Sequence, residues 1–288
     1  MAGSYAILED RGIVAVRGPD ALPFLQNIVT TDVEGVREGM AAYGGLLTPQ
    51  GKILFDFIIH GSADGYLLDA PRASVAGLAK RLGFYRLRAK VGIADTSETH
   101  RVVAAWGSDQ PPASFFAVDP RLPALGFRGV VVNDAVRPGG WNLADTVAYH
   151  AHRIALGVPE GGVDFAFAET FPHDVDMDQL GGIDFAKGCY IGQEVVSRME
   201  HRGTARRRIV VARSLGPLPL PGTSITADGK PIGQLTSVAG RHGLAQIRMD
   251  RAKAAMDAGV PVLASGVPLT LTLPEWARFT WITGPSED

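Results

Sequence analysis

Apolar positions along this chain fall into two rhythms, short runs spaced as strands and stripes spaced as helices. Residues 13–16 are a continuous apolar run, followed by the turn signal Gly18-Pro19-Asp20. Leu22, Leu25, Ile28 and Val29 then recur at helical spacing, which predicts a helix over 21–29. Two extended segments, 40–47 and 52–60, flank Thr48-Pro49-Gln50-Gly51 in the manner of a hairpin. A strand at 66–69 and a helix over 74–85, with Val75, Leu78, Leu82 and Tyr85 on one face, come next. Strands at 91–94, 102–106, 115–118 and 129–132 complete an alternating β/α region. The pattern predicts further helices over 143–156, ended by Gly157 and Pro159, and over 192–201. After Gly203 only short strands remain, at 208–213, 224–227, 232–238, 244–247 and 269–273, with turns at regular intervals. That spacing predicts a small β-barrel and a domain boundary near 203.

Composition narrows the class. The 35 glycines and 19 prolines imply many turns and argue against a helical bundle. A single cysteine excludes an intrachain disulfide, and excludes a cluster or zinc site built from this chain's thiolates alone. No basic leader precedes an apolar run at the N-terminus, and no apolar stretch nears the ~20 residues of a membrane span. These features set the expectation of a cytoplasmic protein in a reducing compartment. The net charge of −2 gives no reason to expect nucleic acid or a membrane as partner. Charge is nevertheless blocked: residues 154–186 hold seven acidic side chains and no Lys or Arg. Residues 187–208 then carry Lys187, Arg198, Arg202, Arg206, Arg207 and Arg208. Solvated faces or mutual salt partners are the plain reading of such blocks, and an anion site is the sharper one.

Several motifs fail on spacing. Gly51-Lys52 has Ile53 where a phosphate loop needs Ser or Thr. Asp174, Asp176 and Asp178 mimic a calcium loop, but Gln179 and Phe185 stand where the turn glycine and the bidentate Glu belong. His150 and His152 diverge on a helix, so no metal pair is expected from them. No GxSxG, HExxH or GxGxxG is present.

What remains is Lys187 to Gly203, KGCYIGQEVVSRMEHRG, around the lone Cys189. Free cysteine is among the most buried residue types, so a packed core residue is the simplest reading. The surroundings favour a reagent. Gly188 and Gly192 allow positive φ, Lys187 lies two residues away, Tyr190 could close the pocket, and a helix follows. Physical chemistry alone leaves both readings open, with a lean toward the packed core residue.

The same seventeen residues resemble the signature of the YgfZ family of folate-binding proteins, itself similar to the glycine-cleavage T-protein aminomethyltransferase. Further blocks carry the likeness: Phe24-Leu25-Gln26-Asn27 with Thr31-Asp32-Val33, Thr48 to Lys52, Tyr85 to Val91, Leu180 to Ile183, and Ile232 to Ser237. The resemblance implies an α+β, three-lobed aminomethyltransferase-like fold, with mixed α/β lobes around a central channel and a C-terminal small β-barrel. It divides the chain into a folate-binding lobe (1–47 and 140–202, with the cysteine loop), a second α/β lobe (48–139) and the barrel (203–288). It implies tetrahydrofolate as cofactor, held near Asn27, Lys52, Tyr149, Arg11, Tyr190, Gly192, Gln193, Glu194 and Arg202. Arg11 and Tyr149 stand where bacterial relatives often have tryptophans of the folate pocket.

The implied role is assembly or repair of iron–sulfur proteins, including tRNA-modifying radical enzymes, with Cys189 and Lys187 as the working pair. Expected partners are folate and iron–sulfur client or assembly proteins. A folate-dependent aminomethyltransferase or one-carbon demethylase is the enzymatic alternative, weakened because the transferase motif R-T-G-Y-T-G-E has no counterpart at 120–145. A non-catalytic folate-binding scaffold is the third reading.

Overall fold

The computed structural model describes residues 2–132, 138–203 and 205–282. The end of the expected barrel segment, 283–288, lies outside them. The chain divides into two compact units, Met1–Tyr149 with Leu180–Gln193, and His150–Gln179 with Glu194–Asp288.

The first unit opens with β1 (Ser4–Ile7), β2 (Arg11–Arg17), helix α1 (Ala21–Gln26) and the hairpin β3 (Ala41–Leu47) and β4 (Ile53–Ser62). Then follow β5 (Gly65–Pro71), α2 (Val75–Tyr85), β6 (Gly92–Asp95), β7 (His100–Trp106), β8 (Ala117–Val118), β9 (Phe127–Val132) and β10 (Asn142–Leu143). These strands make two five-stranded sheets, ordered β3-β4-β5-β2-β6 and β10-β1-β7-β9-β8. Six of the seven residues of β2 are buried, because Val14 and Val16 pack under α1 and α2 while Ile13 packs on Ala6 and Val102 of the other sheet. Val75, Leu78 and Leu82 face that core, as the helical spacing predicts.

Two differences from the sequence pattern have simple causes. Helix α1 stops at Gln26 rather than 29, because Val29 bridges Leu46 and the Thr30 amide donates to Gly45 O at 3.0 Å. Pairing with β3 outweighs continued helical spacing. Leu143 belongs to β10 rather than to the following helix, α3 (Thr146–Ala155), because Ser4 and Tyr5 of β1 pair with Asn142 and Leu143.

In the second unit, the helix predicted from 192 is α4 (Gln193–Arg202), which begins at the boundary. The barrel strands follow: β11 (Arg207–Arg213), β12 (Ser224–Ala227), β13 (Lys230–Ala239) and β14 (His242–Arg248). Helix α5 (Met249–Asp257) interrupts them before β15 (Val262–Ala264), β16 (Val267–Pro268) and β17 (Thr270–Thr272). The sheet order is β16-β15-β12-β13-β14-β11-β17. Register shifts at Ile225/Thr226 and Leu235/Ser237 mark bulges, which add the local bend a near-closed barrel needs. Val210, Ile225, Leu235, Ala245 and Ile247 fill its interior. Among the described residues no helix is long and apolar enough to cross a membrane.

Candidate functional site

The cysteine loop of the first unit is built as a clamp. Thr30 ties it from below: its Oγ1 donates to Gly182 O at 2.5 Å and accepts from the Gly45 amide at 2.8 Å. The Asp184 amide donates to Thr30 O at 2.9 Å, and Asp184 Oδ1 caps the turn by accepting from the amides of Ala186 and Lys187. Lys187 then reaches back, its Nζ donating to Val29 O and Thr31 O, both at 2.7 Å. Two of the three ammonium donors are thus spent on the segment that follows α1. That segment is itself clasped, since Gln26 Nε2 donates to Asp32 Oδ1 and Gln26 Oε1 accepts from the Val33 amide. Two sequence blocks that looked separate are one construction.

Gly192 closes the other end. Its φ is 83°, and a Cβ there would lie 2.5 Å from Thr48 O and 3.2 Å from Gly51 Cα. Only glycine lets the loop rest on the hairpin tip, which is folded by its own Thr48 and Lys52 backbone bonds. Within the loop Ile191 packs on the core and Tyr190 is buried, whereas Cys189 is exposed. The core reading of the thiol therefore fails on placement. Tyr190 and Ile191 anchor the glycine-bounded loop inward, and Cys189, just before them, faces solvent.

Burial pulls the Lys187 ammonium down to about 8, against the opposing charges of Asp32 and Asp184. Burial and the Asp184 charge push the Tyr190 phenol up to about 12, and its hydroxyl has no hydrogen-bond partner among the described residues. The ammonium also lies 5.7 Å from the Tyr190 ring centroid. An exposed thiol on a fixed loop can offer one sulfur ligand or one nucleophile. Any further ligand must come from elsewhere.

Arg11 and Tyr149 are brought together in a different place. Arg11 Nε donates to Asp69 Oδ1 at 2.6 Å, and Arg128 Nε to Asp69 Oδ2 at 2.7 Å. Tyr149 Oη accepts from both Arg128 Nη1 and Arg121 Nη2 at 2.8 Å, and Arg121 also pairs with Asp119. Tyr43 Oη donates to Asp56 Oδ2 at 3.1 Å. All of these side chains are buried. Burial works against the Asp69 charge, yet Arg11 and Arg128 hold its carboxyl at about 2. His60 is pulled down to about 4, first by burial and then by Arg128 against the pull of Asp69. Arg11 is 5% and Tyr149 1% exposed, and Trp106 lies 5.8 Å from the Tyr149 ring centroid. Both residues are thus sealed into an internal charge network.

The other expected folate contacts are scattered over the two units. Asn27 is exposed and its Nδ2 donates to Pro23 O, while Lys52 is half-buried on the hairpin beside the loop. Gln193 opens α4, Glu194 pairs across one turn with Arg198 at 2.6 Å, and Arg202 is exposed in the last turn.

In the second unit the two charge blocks meet at Arg208. Arg208 forks onto Asp178 at 2.6 and 3.1 Å and approaches Asp176 at 3.4 Å. Burial drives the Asp176 carboxyl well up, and its φ of 61° places it in the turn that the aspartate triplet forms. One atom each of His173, Asp178 and Glu200 come within 4.8 Å of one another. The Arg208 fork already neutralises the Asp178 carboxylate in that set. Thr236 and Ser237 of the barrel block meet Asp164 and Arg153, another buried pair at 2.7 Å.

Comparison with known proteins gives three findings. The CAF17 C-terminal beta-barrel domain family matches residues 206–279. The human protein "Iron-sulfur cluster assembly factor IBA57, mitochondrial" is 32% identical over 93% of this chain and 84% of its own length. A homologue from Mycosarcoma maydis is 36% identical over 69% of this chain and 54% of its own. The crystal structure of the glycine cleavage system aminomethyltransferase T from Bartonella henselae shares the fold, at a TM-score of 0.73 and 16% identity. It covers 98% of this chain and 88% of that one. The expected aminomethyltransferase-like α+β fold with a C-terminal barrel is thereby borne out. The expected cytoplasmic location is not: the human, mouse and Mycosarcoma relatives are all named as mitochondrial.

Proposed function

Because the chain belongs to the IBA57 family of iron–sulfur cluster assembly factors, we propose that it serves the assembly of iron–sulfur proteins through Cys189. The observation that carries this is the placement of the lone thiol, exposed on a loop whose two ends are fixed by Lys187 and Gly192. A cluster, or iron and sulfur on the way to one, is cargo in this reading. Cys189 supplies one thiolate ligand, and the protein that gives or receives the cargo supplies the rest. Lys187 is a positioning residue that holds the loop, and Tyr190 and Gly192 set its shape. Clients of the kind the YgfZ resemblance implies, including radical enzymes that modify tRNA, fall within the proposal.

Tetrahydrofolate is the cofactor the resemblance implies, and the residues present fit it poorly. Arg11 and Tyr149 would have to leave ion pairs and hydrogen bonds of 2.6 to 2.8 Å to face a ring. Folate binding would need other walls, and no step here runs through it. Aminomethyl transfer gains nothing from this geometry.

The test is to alkylate Cys189 in the purified protein and then supply it, with iron, sulfide and reductant, to a client apoprotein. The expected result is loss of the stimulation that the untreated protein gives to client maturation. Full stimulation by the alkylated protein would refute the thiol role.

A further inference from the structure

Residues 70–94 contain six cations, Arg72, Lys80, Arg81, Arg86, Arg88 and Lys90, and no acidic residue. Arg72 is spoken for, since it donates to Glu98 at 2.5 Å and to Ser97 O. The side chains of the other five are exposed and make no ion pair or hydrogen bond among the described residues. They surround the C-terminal end of α2. Asp20 is the acidic neighbour, and it accepts from the Lys90 backbone amide.

Two large apolar side chains stand among these cations, Phe84 at 63% and Leu87 at 87% exposure. Leu87 is the more unusual. It follows the helix cap Arg86 and adopts φ 45°, the left-handed conformation in which glycine normally ends a helix. A leucine there is strained, and its side chain gains nothing from the interior in return. Stability alone would favour glycine at this position.

We infer that the end of α2 is a peripheral docking surface for an anionic lipid headgroup layer, with Leu87 and Phe84 as its insertion points. Charge complementarity supports that occupant: five exposed cations flank Phe84 and Leu87 along the chain, and an anionic bilayer attracts each of them. Shape supports it as well. The apolar groups protrude instead of lining a groove, and the cations have no fixed partners that would mark a stereospecific site. The face of α2 that packs on the core is separate, carried by Val75, Leu78 and Leu82. The surface therefore adds a membrane-surface function to a protein whose net charge and lack of a spanning helix would not suggest one. It stands independently of the thiol loop.

The experiment is flotation of the full chain with vesicles of phosphatidylcholine alone, or with about one third phosphatidylglycerol. At low salt, binding to the anionic vesicles should exceed binding to neutral ones by about 10-fold or more, and should fall as salt is raised. Leu87→Gly should lower vesicle binding several-fold while leaving the melting temperature equal or higher, which separates docking from folding. The double substitution Arg86→Glu with Arg88→Glu should abolish it. Equal binding to neutral and anionic vesicles, or no binding, would overturn the proposal. So would undiminished binding by the variants. Protection of residues 80–90 from hydrogen exchange by poly-glutamate, without vesicle binding, would reassign the surface to an acidic protein and equally overturn it.

Discussion

The cysteine loop and the Arg11–Asp69–Arg128 network are both polar constructions in the same unit, yet they are opposites. In the network, the guanidiniums of Arg11, Arg121 and Arg128 are balanced by the buried carboxylates of Asp69, Asp119 and Asp56. Arg128 Nη2 and His60 Nε2 nevertheless have no hydrogen-bond partner among the described residues. In the loop Asp184 and Lys187 are spent on holding the backbone, the Tyr190 hydroxyl is buried, and Cys189 faces solvent. Residue type does not tell a working group from a structural one. Exposure does: the charges of the network meet one another in the interior, whereas Cys189 meets solvent.

That contrast can be broken first where it should cost most. Asp69→Ala would leave two buried guanidiniums without their carboxylate and should destabilise the fold by about 3–5 kcal/mol, read by urea unfolding. Thiol reactivity of the folded fraction should not change. A loss under about 1 kcal/mol would mean the network is solvated, contrary to this account.

Acid should act on the same region. The folded-state value of His60 lies at about 4, below the ordinary 6.5, so the unfolded chain binds the proton first as pH falls. Stability is therefore complete above about pH 6.5 and drops by roughly 3 kcal/mol on the way to pH 4. Asp69, held at about 2, adds a second loss between about pH 4 and 2, because its depressed value contributes stability only while it is ionised. Urea midpoints at fixed pH check both, and a flat profile from 6.5 to 4 would exclude the His60 contribution.

Smaller effects should attend the loop. Gly192→Ala places a Cβ against the Thr48 carbonyl at a left-handed φ, for a cost of about 1–3 kcal/mol. Hydrogen exchange should show residues 187–193 losing protection while the buried network keeps its own. Lys187→Met removes two hydrogen bonds to Val29 and Thr31 and should cost about 1–2 kcal/mol, with a rise in the alkylation rate of Cys189 as the loop loosens. An unchanged alkylation rate would show that Lys187 is not the clamp.

The sequence made the loop legible and hid the network, for a physical reason. Gly188, Gly192 and the following helix are local signals within a few residues of Cys189. The hairpin at Thr48–Gly51 and the stripe Val75, Leu78, Leu82 were readable in the same way. Arg11, Asp69 and Arg128 are separated by 58 and 59 positions, and an arginine at the start of a strand looks like a surface residue until the sheets are packed. Helix α5 was missed because its buried face is carried by Met249 and the small Ala252 and Ala255, and it sits among strand signals. For the folate candidates the resemblance supplied positions but not the neighbours that Arg11 and Tyr149 meet.

The central claim is that the exposed thiol does the work and the interior does not. The most direct measurement is the activity of iron–sulfur enzymes in cells whose only copy of this protein carries Cys189→Ser, at matched abundance. An exposed side chain at this position should leave stability within about 0.5 kcal/mol of the original, so abundance should hold while cluster-dependent activity falls to that of cells lacking the protein. Normal activity at normal abundance would contradict the account.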